Sequence, residues 1–212
     1  MKKRDTLLIV DDMEVNRAIL RSLFERQYNL LEAENGEQAL LLLHEYEEHV
    51  AAMLLDLVMP VKNGYEVMEE IGKSGLVSRI PVIVFTSDDT AESEVRAFDL
   101  GAADIIMKPF EPHVVKRRVQ NAVDLCRHKL HLEELVEEQS ASLRESNAIM
   151  IDALSSIIEY RSVESGQHIR RIRMFTKILL EDVAKAYQEY NLDSRTIEII
   201  ADASSMHDIG KI

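Results

Sequence analysis

Over its first 110 residues the chain alternates between two hydrophobic periods, and few folds accept that alternation. Short apolar runs of strand character stand at Thr6 to Val10, Asn29 to Ala33, Ala51 to Leu55, Pro81 to Phe85 and Asp104 to Met107. Stretches with helical spacing separate them. Val15, Ile19 and Leu23 mark the first, and Ala39, Leu40 and Leu43 the second, which opens at Asn35 and Gly36. Val67, Met68 and Ile71 mark the third, and Val95, Phe98 and Leu100 the fourth. Strands alternating with helices imply a parallel sheet covered on both faces. The third and fourth runs are apolar almost throughout, as doubly covered strands must be, whereas Glu32 and Glu34 flank Ala33 in the second and suit an edge. Five such units predict an α/β, flavodoxin-like (βα)5 domain with strand order 2-1-3-4-5 and right-handed crossovers.

Beyond Pro112 the pattern changes. From His113 to about Arg161 there is neither Pro nor Gly, which predicts a fifth helix that continues outward as a long one. Val119, Val123, Cys126 and Leu130 form a coiled-coil-like seam, and after a register slip a second seam runs from Leu132 through Val136, Leu143 and Met150 to Ile157. A homodimer contact through this helix is expected, the alternative being packing on the sheet followed by a solvated linker. A further helix carries the stripe Ile169, Ile172, Phe175, Ile178 and Leu179 and ends near Tyr190. Asn191 to Ser194 reads as a turn and cap, and a last helix runs from Thr196 into His207. The expected organisation is one domain over 1–125, a helical linker over 126–160, and the opening of an all-α domain over 161–212. An α-helical array stopping at Ile212 cannot close its own core, so the sequence reads as truncated.

Composition narrows the setting. The 212 residues carry 25 Lys+Arg against 38 Asp+Glu, a formal net charge of −13, which disfavours nonspecific binding to nucleic acid or an anionic membrane. Cys126 is the single cysteine, so no intrachain disulfide framework is expected and a reducing, cytoplasmic setting fits. The apolar run from Leu7 to Val10 is too short for a secretory leader, and no stretch approaches the roughly 18 apolar residues of a membrane span.

The polar residues that matter fall at strand ends. In open α/β sheets, ligands bind outside the carboxyl ends of the strands near the switch in strand order. Asp11 and Asp12 close the first strand, Asp56 the third, Thr86 and Ser87 the fourth, and Lys108 the fifth. Any one of these reads as an ordinary cap or surface residue; four ends with complementary chemistry do not. Three carboxylates repel one another unless a cation joins them, and Mg²⁺ suits a few carboxylates with positions left for water and phosphate oxygens. Lys108 and Thr86 suit a phosphoryl group, as a point charge and a hydroxyl donor. The inference is an aspartate that accepts a phosphoryl group, with Asp56, on the central strand, as nucleophile.

These residues also carry a resemblance. Leu8-Ile9-Val10-Asp11-Asp12, Leu54-Leu55-Asp56-Leu57-Val58-Met59-Pro60 with Gly64 beyond, Val84-Phe85-Thr86-Ser87 and Lys108-Pro109-Phe110 resemble the receiver domain of two-component response regulators over about residues 5 to 125. The resemblance implies phosphorylation of Asp56 by a sensor histidine kinase. It implies Mg²⁺ held by Asp12 and Asp56, with Asp11 acting through water and the Val58 backbone carbonyl as a further ligand. Thr86 and Lys108 would hold the phosphoryl group, and the Lys108–Pro109 bond is expected to be cis. Receivers usually place Tyr or Phe three residues before the lysine; here it is Ile105, so a switch must run through the loop after Thr86 or the long helix. Val58 and Asp88 occupy positions that modulate acyl-phosphate hydrolysis in this family, and Val58 has no polar handle for water.

The second motif is shorter. Glu164-Ser165-Gly166-Gln167-His168-Ile169-Arg170-Arg171, followed by Met206-His207-Asp208-Ile209-Gly210-Lys211-Ile212, is similar to the opening of an HD-GYP phosphohydrolase domain. That family hydrolyses cyclic di-GMP with Fe or Mn. The similarity implies that Glu164, His168, His207 and Asp208 ligate metal and that Lys211 contacts a substrate phosphate. Ser162 stands where the family has an Asp, and the later ligands and the Gly-Tyr-Pro motif are not in this sequence, so these 212 residues are expected to be inactive as a phosphodiesterase. The alternatives are an active metal phosphohydrolase and a stand-alone interaction module. Arg170, Arg171, Arg173 and Lys177 form a basic cluster without a helix-turn-helix pattern, so a solvated face is favoured over DNA contact.

Overall fold

The computed structural model describes residues 4–161 and 167–205. The chain divides into two compact units, Met1–Glu133 and Glu134–Ile212.

In the first unit five parallel strands, β1 (Thr6–Val10), β2 (Asn29–Ala33), β3 (Val50–Asp56), β4 (Val82–Thr86) and β5 (Asp104–Met107), are ordered β2-β1-β3-β4-β5. The connecting helices are α1 (Glu14–Phe24), α2 (Gly36–Tyr46), α3 (Gly64–Lys73) and α4 (Ala91–Asp99), and α5 (Pro112–Arg161) follows the last strand. Alternation along the strands divides the core. Leu7, Ile9, Leu54, Ile83 and Phe85 pack with Leu20 and Phe24 of α1 and with Val115, Val119 and Val123 of α5. Leu8, Val10, Met53, Leu55 and Val84 pack with Ala39 and Leu43 of α2 and Val67, Met68 and Ile71 of α3. β1, β3 and β4 are buried at every residue, while β2 keeps partly exposed positions, as an edge strand does.

Two helical faces differ from expectation. On α1 the buried positions are Arg17, Leu20 and Phe24, and Val15 and Ile19 face solvent. The apolar spacing therefore marked a stripe beside the sheet-facing one, because a charged residue occupies one of the core positions. On α4, Val95 and Phe98 are exposed, and Ser93 and Ala97 are buried. Small side chains let the helix sit close, and the Ser93 hydroxyl is satisfied by the Tyr65 hydroxyl at 2.7 Å.

Helix starts follow local chemistry. Asn35 caps α2 by accepting from the Gln38 N–H at 3.0 Å. Asn63 and Glu66 form a capping box at α3. Between β3 and α3, Lys62 N–H donates to the Pro60 carbonyl at 2.8 Å across Val61, whose φ of 69° makes this a γ-turn.

In the second unit, α6 (Gln167–Ala186) and α7 (Ser194–Ser204) pack together. α6 stops four residues short of Tyr190. A 3₁₀ turn over Gln188–Tyr190 and a left-handed Asn191 (φ 46°) intervene, because the turn must reverse the chain before Asp193 caps α7 through the Thr196 N–H at 2.7 Å. Along α5, Leu132, Val136, Leu143 and Met150 are exposed. No described helix is long and apolar enough to cross a membrane.

Candidate functional site

Parallel register brings the polar strand ends together. Val10 pairs with Leu55, Asp56 with Phe85, and Thr86 with Met107, so Asp11, Asp56, Thr86 and Lys108 emerge along one edge of the sheet. Asp11 is 2% exposed and Asp56 6%, while Asp12 is exposed. Lys108 Nζ lies 2.8 Å from Asp11 Oδ2 and 2.8 Å from Asp56 Oδ2, bridging the two buried carboxylates. The Lys108–Pro109 peptide is cis.

Asp11 is the most heavily engaged acid. Its Oδ1 accepts from the Met13 N–H at 2.9 Å, and Asn16 Nδ2 lies 3.0 Å from each carboxylate oxygen. Asp56 accepts one long contact from the Val58 N–H, at 3.4 Å. Burial pushes the Asp56 carboxyl above the usual carboxylate range, and the Lys108 ammonium only partly offsets this. Burial alone would lower Lys108, but its hydrogen bonds to Asp11 and Asp56 outweigh that and hold it above its ordinary value.

Three carboxylates against one ammonium leave two negative charges in excess. Asp11, Asp12 and Asp56 each offer an oxygen within 4.8 Å of the others, the one such group of potential metal ligands among the described residues. All-oxygen donors, an excess of two charges and an exposed Asp12 fit a hard divalent cation that keeps some water. Val58 is largely exposed, at the loop that leaves β3.

The glycine after this loop is required by contact. The Gly64 N–H donates to the Leu57 carbonyl at 3.0 Å, and a Cβ at Gly64 would lie 2.3 Å from the Asp56 carbonyl oxygen and 2.8 Å from Leu57 Cα. The first turn of α3 is thus seated on the backbone of Asp56.

On the other side of Asp56, the buried Thr86 accepts through Oγ1 from the Asp88 N–H at 3.0 Å. Asp88 in turn accepts from the Thr90 N–H at 3.0 Å, and Thr90 caps α4. Ile105 lines a cavity of about 160 Å³ together with Thr86, Asp88, Ser93 and Ala97. Beside it, the Arg96 guanidinium lies 4.2 Å from the centre of the Tyr65 ring.

Sequence reasoning missed Asn16 and Arg17. Arg17 is 6% exposed and donates through Nη1 to the backbone carbonyls of Asp11 (2.8 Å) and Asp12 (3.3 Å). A charged residue three positions before Leu20 and seven before Phe24, in the stripe that faces the sheet, is the signal that pointed to it.

Of the predicted second site, His168 lies half-buried in α6, whereas Glu164, His207, Asp208 and Lys211 lie outside the described residues. Within the basic cluster, Arg173 pairs with Asp202 at 2.5 Å and Lys177 with Glu198 at 2.7 Å, linking α6 to α7.

Residues 7–120 match the response regulator receiver domain family. Over 98% of its length the chain is 33% identical to a probable cyclic di-GMP phosphodiesterase of Vibrio cholerae, covering 48% of that protein. It is 27% identical to a cyclic di-GMP phosphodiesterase of Thermotoga maritima, again over 98% of this chain and covering 57% of that protein. The chain thus spans about half the length of these curated relatives. The signal receiver domain of an HD domain-containing protein from Pseudomonas fluorescens superposes with a TM-score of 0.54 at 23% identity, covering 59% of this chain and 99% of that one, a likeness of fold.

Proposed function

This chain belongs to the response regulator receiver family, and from that premise we propose that it is the phosphoacceptor of a two-component phosphorelay, modified on Asp56. The observation that supports this most is the single ammonium, Lys108, at 2.8 Å from both Asp11 and Asp56, with Asp12 beside them. An oxygen of the Asp56 carboxylate attacks the phosphorus of a kinase phosphohistidine. The O–P bond forms as the P–N bond breaks, and the imidazole leaves with the electron pair and is protonated. Lys108 neutralises charge on the transferring oxygens, and the Thr86 hydroxyl, released from the Asp88 N–H, donates to one of them. Asp12 and Asp56 would hold Mg²⁺, with Asp11 through water and the Val58 carbonyl as a further ligand. When bound, Mg²⁺ supplies charge neutralisation and orientation at the phosphoryl oxygens.

For the output we propose a cyclic di-GMP phosphodiesterase of HD-GYP type. In this reading 1–125 is the receiver, 126–160 a linker helix that joins two copies through exposed Leu132, Val136, Leu143 and Met150, and 161–212 the start of the output domain. The near-complete alignment with the Vibrio and Thermotoga proteins supports it. Glu164, His168, His207 and Asp208 would ligate Fe or Mn, Lys211 would meet a substrate phosphate, and the setting is the cytoplasm, in contact with a sensor histidine kinase. The test is incubation with acetyl phosphate and Mg²⁺ followed by intact-mass measurement. A gain of one phosphoryl group in wild type and none in Asp56→Asn is expected; labelling that survives Asp56→Asn would refute the proposal.

A further inference from the structure

We infer that Arg17 is a positioning residue for the metal-binding carboxylates, holding the Asp11–Asp12 backbone so that both acids face Asp56; this rests on the Mg²⁺ site proposed above. The guanidinium is nearly buried, and its contacts divide between two tasks. Nη1 serves the site directly, donating to the Asp11 carbonyl at 2.8 Å and the Asp12 carbonyl at 3.3 Å. The rest of the fork fastens it to the scaffold: Nη2 lies 3.1 Å from Glu34, just past the end of β2, and Nε 3.4 Å from Glu32 within β2, while Glu14 on α1 also accepts from Nη2. Only a planar group with several fixed donors can span the edge strand and two successive carbonyls at once.

The consequence concerns orientation. Asp11 and Asp12 leave β1 just where the sheet hydrogen bonding ends, after the Asp11 N–H to the Ala33 carbonyl at 3.2 Å. Beyond that point the peptide planes are free to rotate unless another group holds them. Arg17 holds both carbonyls, and rotation of either plane would swing the attached carboxylate away from Asp56. Arg17 acts through these two backbone carbonyls and not as a ligand. Groups that orient ligands in this way typically change metal affinity by about tenfold or more when removed.

The test is Mn²⁺ binding to the full chain, followed by loss of the free-ion electron paramagnetic resonance signal, in wild type, Arg17→Met, Arg17→Lys and Leu20→Val, with the Asp12→Asn/Asp56→Asn chain measured alongside to subtract ions held elsewhere, such as at the second site proposed above. Leu20 is a buried core residue on the same face of α1 and reports what simple loosening of that helix does to the site. Arg17→Met is expected to raise the Mn²⁺ Kd about tenfold. Arg17→Lys, which keeps the charge but has one nitrogen that cannot serve the carbonyls and the Glu32 and Glu34 carboxylates together, should raise it severalfold and carries the test if the Met variant does not fold. Leu20→Val should bind like wild type. Arg17 variants that bind as tightly as wild type overturn the inference, as does an equal loss in Leu20→Val, which would make Arg17 a stability residue. Wild type whose Mn²⁺ uptake is no greater than that of Asp12→Asn/Asp56→Asn overturns the proposed metal site and the inference with it.

Discussion

Replacing Gly64 by alanine isolates the link between fold and site. The added methyl would lie 2.3 Å from the Asp56 carbonyl oxygen, where ordinary contact begins near 3.4 Å, so about 1 Å must be found. The obstructing atoms are backbone of β3, a strand buried on both sides, and not the end of a flexible side chain. Overpacking of this kind costs roughly 1–3 kcal/mol, and the rigid partner puts this case at the upper end, about 3 kcal/mol. With a urea m-value of about 2 kcal/mol/M, the midpoint should fall by roughly 1.5 M. Exchange protection of the β3 amides across a urea series reads the sheet unit alone. The same displacement moves the Asp56 carboxylate, and a misplacement of about 1 Å can slow an oriented reaction about 100-fold, measured as labelling by acetyl phosphate. Gly72→Ala is the control, since nothing lies within 4 Å of its added methyl and the helical position should gain about 0.5–1 kcal/mol. Gly64→Ala with wild-type midpoint and wild-type labelling would refute the packing argument.

The charged cluster gives three more expectations. Lys108→Ala strands two buried carboxylates and should cost about 3 kcal/mol near neutral pH without metal; an unchanged urea midpoint at pH 7 would contradict the bridge. Because the Asp56 carboxyl is raised in the folded chain, its favourable contribution is complete below the unfolded carboxylate range and is lost as pH rises through the folded value. Metal-free Asp56→Asn should therefore be more stable than wild type at neutral pH, with the gap closing towards pH 4, and an opposite slope in paired urea titrations would refute the assignment. Val58, exposed beside Asp56, offers attacking water no hydrogen bond, so Val58→Asn should shorten the phosphoryl lifetime by a few fold in a time-resolved dephosphorylation assay; equal lifetimes would count against this role.

The strand order and the meeting of polar strand ends were legible in the sequence, for identifiable reasons. Asp56 ends an apolar run with no interruption, so the strand, its central place and the position of its last residue follow from one pattern. The cleft follows from parallel topology, because all five strands point the same way. What stayed hidden depends on side-chain reach or on weak signals. Nothing in the spacing of Asp11, Asp56 and Lys108 says that one ammonium would touch both acids. Arg17 interrupts the apolar stripe of α1, and Val15 and Ile19 drew attention to the wrong face. Ser93 and Ala97 bury α4 with small side chains that carry no hydrophobic signature. Valine gives no hint of the positive φ that Val61 adopts in the γ-turn.

The central claim is that Asp56 forms an acyl phosphate in a cluster that needs a divalent cation. Borohydride reduction of the chain after exposure to acetyl phosphate, with and without Mg²⁺, followed by peptide mass mapping, addresses it directly. Reductive conversion of residue 56 to homoserine, dependent on both phosphodonor and Mg²⁺, is the expected result. Reduction at another aspartate, or at residue 56 to the same extent without Mg²⁺, would contradict it.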